Sequence, residues 1–141
     1  MMGPMTSRLQ NLTVDCADAR ALAWFWAQVL GWNVYYDEDP EVLIAPAFPP
    51  NAAQRPTMLF IPVPEGKTAK NRVHPDLEPT DRTRDEEVER VVALGARVTD
   101  DRRNADGTGW VVLADPEGNE FCIERSAAER PSVPRQWRLG G

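Results

Sequence analysis

The feature that most constrains this chain is an internal duplication. Residues 11–35 run NLTVDCADARALAWFWAQVLGWNVY, and residues 73–98 run VHPDLEPTDRTRDEEVERVVALGARV. Each begins with period-two alternation, the pattern of a strand with one covered face. In the first, Leu12 and Val14 alternate with Asn11, Thr13 and Asp15; in the second, Val73 and Leu77 flank Pro75 and alternate with His74, Asp76 and Glu78. Each then changes to helical spacing. Asp18 is the expected N-cap of a helix carrying Leu22, Phe25, Trp26, Val29 and Leu30, with Trp24, Ala27 and Gln28 off its apolar stripe. Thr83-Arg84-Asp85-Glu86 reads as a capping box opening a second helix, with Val88, Val91, Val92 and Gly95 as its stripe. Glu86 and Arg90 are spaced to pair on its wet side. Gly31 and Gly95 supply the stops.

Three strand candidates follow each helix. In the first half they are Asn33–Asp37, Glu41–Ala47 and Pro56–Val63; in the second, Ala96–Thr99, Gly109–Ala114 and Glu120–Arg125. Asp115-Pro116-Glu117-Gly118 is a turn between the last two. The expected fold is α+β, two βαβββ modules at 8–63 and 71–125 joined by a Pro- and Lys-containing linker at 64–70, with a tail from Ser126 to Gly141. Each four-stranded sheet has one face for its helix. The other faces are expected to enclose a cleft.

Charge limits the partners. With 16 basic and 22 acidic side chains and a net charge of −6, the chain has no basic patch for nucleic acid. No run of 18 apolar residues is present to span a membrane. The start MMGPMTSR has no apolar signal-peptide core. Two cysteines, Cys16 and Cys122, are too few for a disulfide framework, so a reducing cytoplasm is expected.

The motifs Asp18…Phe25-Trp26…Leu30-Gly31-Trp32, His74…Asp81…Leu94-Gly95-Ala96 and Asp115-Pro116-Glu117-Gly118-Asn119 stand in duplicated order over residues 8–125. In this the chain resembles the vicinal-oxygen-chelate superfamily of glyoxalase I, extradiol dioxygenases and bleomycin-resistance proteins, and its glyoxalase-like subgroup. The resemblance implies a homodimer and, in metal-using members, ligands from the first and last strand of each module. Carried over, those positions are Asn11, His74 and Cys122. The matching first-module strand, Pro56–Val63, has no Asp, Glu, His or Gln. His74 and Cys122 then make two good ligands at most, with Glu120 as a crowded third, whereas a catalytic divalent ion takes at least three protein donors. No metal or other cofactor is therefore expected.

His74 is the single histidine. Strand parity places it with Asp76 on the cleft side, and a carboxylate beside an imidazole fixes its tautomer. The same parity groups Asn11, Thr13, Asp15, Glu120, Cys122 and Glu124 there, and assigns Leu12, Val14, Val73, Leu77, Phe121 and Ile123 to the core. Trp32, Phe60 and Trp110 are expected to pack a planar or apolar small molecule whose polar groups meet His74, Asp76, Glu120 and Asn11. The leading expectation is sequestration of such a ligand. The second is a lyase or isomerase with His74 or Glu120 as general base, and the third a metal-dependent glyoxalase or dioxygenase. Cys122 is either a small buried thiol or a nucleophile activated by His74. Trp24, and Trp137 in the tail, are candidates for protein contacts.

Overall fold

The computed structural model describes residues 6–36 and 39–131. Asp37 and most of the tail, Trp137 included, lie outside the described residues.

Each half of the chain folds as the alternation requires. Strand β1 (Asn11–Cys16) leads into helix α1 (Ala19–Leu30), followed by β2 (Asn33–Tyr36), β3 (Val42–Ala45) and β4 (Thr57–Pro62). The second half repeats the order with β5 (Asp76–Leu77), α2 (Arg84–Leu94), β6 (Arg97–Asp101), β7 (Val111–Ala114) and β8 (Glu120–Ile123). The strand orders are β1-β4-β3-β2 and β5-β8-β7-β6, the same arrangement twice. In each sheet the first strand runs parallel to the last, and the remaining neighbours are antiparallel. The chain divides into two compact units between Thr68 and Ala69.

The helix ends follow their capping residues. Asp18 accepts a hydrogen bond from the Ala21 amide at 3.1 Å, and Gly31 ends α1 at φ 68°. At α2 the Thr83 hydroxyl accepts from the Glu86 amide, while the Glu86 carboxylate accepts from the Thr83 amide. Glu86 is thereby committed to the cap. Arg90 pairs instead with Glu87, at 2.7 and 2.8 Å, so the expected Glu86–Arg90 pair is replaced.

The two cores differ. Helix α1 buries Leu22, Ala23, Phe25, Trp26, Ala27 and Val29, and Ala27 thus joins the stripe from which its neighbours Trp24 and Gln28 stay out. Helix α2 buries Val88 and Val91 together with Arg84 and Glu87, while Val92 is exposed. Arg84 is the structural anchor of the second module. One of its guanidinium nitrogens donates to the carbonyls of Gly107, Thr108 and Gly109, each at 3.1 Å. It thereby fixes the connection between β6 and β7. Within that connection Gly109 lies so near Arg102 that an added Cβ would come 2.0 Å from its carbonyl oxygen, so the position requires glycine.

Two positions assigned to the core by parity are open. Val73 is 84% exposed and Leu12 is 42% exposed. Pro75 has no amide hydrogen for the ladder, and β5 begins only at Asp76, so nothing folds over Val73. Leu12 lies near the start of β1, opposite Met58.

Candidate functional site

Strand register builds the site within the second module. Asp76 stands opposite Cys122 in the parallel β5–β8 pair, and Cys122 opposite Val112 in the antiparallel β7–β8 pair. Val112 in turn faces Asp100 of β6. Side chains directly opposite share a face. The row beside it is Glu120, Ala114 and Arg97. His74, two residues before Asp76, keeps the same parity in the extended approach to β5.

These rows line a concavity of about 630 Å³, with Lys70, Thr99, Trp110, Gly118 and Glu124 at its sides. That is within the range of small-molecule sites, roughly 300–1,000 Å³. Four carboxylates (Asp76, Asp100, Glu120, Glu124) face two basic side chains (Lys70, Arg97). Trp110 is 43% exposed at the mouth of β7, next to Gly109, whose carbonyl accepts from Arg84.

His74 is the polar centre. Its Nδ1 lies 3.3 Å from an Asp76 oxygen and 3.9 Å from the Cys122 sulfur. Backbone bonds fix that corner: the Cys122 amide donates to the Pro75 carbonyl at 2.9 Å, and the Glu124 amide to the Leu77 carbonyl at 2.8 Å. Burial, reinforced by the Asp76 and Glu124 carboxylates, pushes the Cys122 thiol up to about 11. A thiol so held is neutral near pH 7, which argues against the activated nucleophile. Burial, then Asp76, likewise raises Glu124. One Glu120 oxygen accepts the Asn71 backbone amide at 2.9 Å, so this carboxylate is already partly engaged.

The turn before β8 aims these groups. The buried Asp115 carboxylate accepts from the amides of Glu117 and Asn119 at 2.9 and 3.0 Å, and Gly118 takes φ 90°. This is the Asp-Pro-Glu-Gly-Asn motif working as a closed loop that delivers Glu120 and Cys122 to the open face.

The remaining candidates fall elsewhere. Phe60 is fully buried at 0% exposure and cannot pack a ligand. It stands opposite Val14 and Val42, and so shares the sheet face of the core residue Val42 rather than that of Asn11. Trp32 is half-buried in the connection between α1 and β2. Asn11 lies on β1, with its side-chain amide on the Thr13 hydroxyl at 2.9 Å. Of the expected set, the second module therefore brings together His74, Asp76, Trp110, Glu120 and Cys122. The sequence reading did not assign Lys70, Arg97, Thr99 or Asp100 to the site. The alternation of Arg97 and Thr99 was the available signal, obscured by the bulge between Val98 and Asp100.

The donor set departs from what the superfamily implies. Thr13 of β1 faces Leu59 of β4, and β4 reads Thr-Met-Leu-Phe-Ile-Pro, so the first module adds no carboxylate, imidazole or thiol from that strand. His74, Asp76 and Cys122 have donor atoms all within 4.8 Å of one another, with Asp76 in the place considered for Glu120.

Comparisons with known proteins agree with the fold. The sequence model of the glyoxalase-like domain family matches residues 11–124. No curated protein matches the chain in sequence. Among solved structures, a hypothetical protein from S. aureus is 22% identical, with 89% of this chain and 96% of that one covered and a TM-score of 0.60. A glyoxalase/bleomycin resistance protein/dioxygenase family enzyme from Burkholderia phytofirmans PsJN is 18% identical, with 83% and 97% covered and a TM-score of 0.60. A mutant of the fosfomycin resistance protein FosX from Listeria monocytogenes, complexed with Mn(II) and 1S,2S-dihydroxypropylphosphonic acid, is 18% identical. There 89% of this chain and 94% of that one are covered, with a TM-score of 0.66.

Proposed function

This chain belongs to the glyoxalase-like domain family of the vicinal-oxygen-chelate superfamily, and from that premise we propose that it binds a small organic molecule on the open face of its second sheet. The observation that carries the reading is the composition of the 630 Å³ concavity: one indole at the rim above four carboxylates and two basic groups. Such a surface suits a planar ring bearing a positive charge, because the Trp110 face and the carboxylates both attract a cation. His74, oriented by Asp76, adds a directed polar contact. In this reading the protein holds its ligand without a catalytic metal. We further place it in the cytoplasm, where Cys16 and Cys122 remain free thiols, and as a homodimer with exposed Trp24 available for contact. Among the described residues no helix is long and apolar enough to cross a membrane.

A matched pair of probes tests the reading. Tryptamine and indole-3-acetate share a ring and differ in charge. Titration followed by chemical-shift change is expected to show saturable tryptamine binding that Trp110→Ala and Asp76→Asn each weaken. Preference for the carboxylate, or binding indifferent to both substitutions, contradicts the proposal.

The 3.3 Å contact between His74 and Asp76 supports a second reading, proton transfer beside a carbonyl with His74 as base. His74→Ala separates the two. Ligand binding weakens modestly if the protein sequesters, and turnover of a bound carbonyl compound collapses if it catalyses.

A further inference from the structure

We propose that the molecule bound on the second sheet is a zwitterion, its cationic ring at Trp110 and an anionic group such as a carboxylate at Arg97 and Lys70, with Arg97 setting the selectivity. The inference rests on the reading of this face as a binder of a cationic ring, and it adds the charge at the ligand's other end.

The first argument is that the charges are sorted along the strands. Val111 pairs with Ile123, so the next step along β7 brings Trp110 beside Glu124. The row that follows on the same face holds Asp76, Cys122, Val112 and Asp100, and the row after it Glu120, Ala114 and Arg97. Lys70 belongs to that far end, because the amide of its neighbour Asn71 is bound to Glu120. Trp110 and Ala114 are four residues apart on one strand, about 13 Å. Between them the floor is Val112 and Ala114, short and apolar, along which an extended ligand can lie.

The second argument is which charges remain available. Arg102, the cation next to the Trp110 end, is taken by Asp100 at 2.7 Å. That leaves Asp76 and Glu124 to attract a cation at the indole. At the far end one Glu120 oxygen already accepts the Asn71 amide. Arg97 is exposed, and among the described residues no carboxylate pairs with it. Its guanidinium lines the concavity with its forked N–H edge open to an anion. Lys70 makes one long hydrogen bond, from Nζ to the Asn71 carbonyl at 3.4 Å, and keeps donors to spare.

The third argument is the irregularity of β6. The register shift between Val98 and Asp100 places Asp100, instead of Thr99, opposite Val112, on the face that Arg97 already shares. A bulge re-aims a side chain that regular alternation would turn away. Here it brings in the carboxylate that neutralises Arg102 and leaves Arg97 as it is.

The probes are N-butyltryptamine and N-(3-carboxypropyl)tryptamine, secondary amines with the same ring and chain length. They differ in ending in a methyl or a carboxylate. Calorimetric titration of the full-length protein at low ionic strength is expected to show the carboxylate probe binding at least about 10-fold tighter, an advantage that shrinks as salt is added. Arg97→Gln moves the two probes in opposite directions. It weakens the carboxylate probe about 10-fold and, by removing a like charge, tightens the butyl probe slightly. Arg97→Lys recovers only part of the advantage, because an ammonium lacks the fork. Lys70→Gln weakens the carboxylate probe about 3-fold. The inference is overturned if wild type binds both probes equally or prefers the butyl chain, if Arg97→Gln leaves the preference intact, or if it weakens both alike. Equal binding of the two probes, with tryptamine itself bound, brings down the zwitterion alone. Failure of tryptamine to bind brings down the underlying reading as well.

Discussion

Module one and module two have the same strand order, yet they put their side chains to different uses. The first packs Phe25, Trp26, Leu22 and Val29 of α1 together with Ile44, Met58 and Phe60 of its sheet, and its β1 face carries Asn11, Thr13 and Asp15. The second buries few helix residues, anchors a connection through Arg84, and gathers imidazole, thiol, carboxylates and an indole on its open face. A duplicated fold can thus concentrate packing in one copy and chemistry in the other. The topology needs only that each sheet cover one face, which leaves the other face free to diverge.

The sharpest way to break this contrast is to exchange the expected effects of two aromatics. Phe60→Ala is expected to cost about 3–5 kcal/mol, as a fully buried aromatic truncation does. Trp110→Ala, at a half-open rim, is expected to cost no more than about 1 kcal/mol while weakening tryptamine binding. Urea denaturation of both decides the matter. Equal destabilisation by the two would remove the division between packing and binding.

Next is the anchor. Arg84→Met strands the carbonyls of Gly107, Thr108 and Gly109, and a loss of about 3 kcal/mol is expected, with faster amide exchange in the Arg102–Trp110 connection. Unchanged exchange there would show that the connection holds itself.

The thiols come third. With Cys122 pushed up to about 11 from an ordinary 9.0, alkylation at pH 8 is expected to be roughly 100-fold slower than for an unprotected thiol. Asp76→Asn, which removes one of the negative neighbours, accelerates it. The folded pKa lies above the unfolded one, so the unfolded state loses its proton first. This group's stabilising effect is full below about 9 and fades as pH rises through about 11. A Cys122 that alkylates at the rate of a free peptide thiol contradicts the burial argument. The smallest effect is at the α2 cap, where Thr83→Ala is expected to cost about 1 kcal/mol by thermal denaturation.

The sequence made the modules legible because period two and period 3.6 leave separate marks, and because Asp18, Thr83, Gly31 and Gly95 punctuate them. The His74, Asp76 and Cys122 corner was partly legible by parity. That the three donors meet required the β5–β8 register, in which Asp76 falls opposite Cys122. Phe60 was misplaced for the complementary reason. An apolar strand such as Thr57–Pro62 has no polar alternation to say which side faces the helix, and only pairing with Val14 and Val42 settles it. Val73 misled because Pro75 delays the ladder past it.

The most direct measurement is a backbone amide shift map of the ¹⁵N-labelled chain titrated with tryptamine. The account predicts that the largest changes fall at residues 74–77, 110–112 and 120–124 on the second module. Largest changes at residues 11–15 and 59–61 would place the ligand on the first module and contradict it.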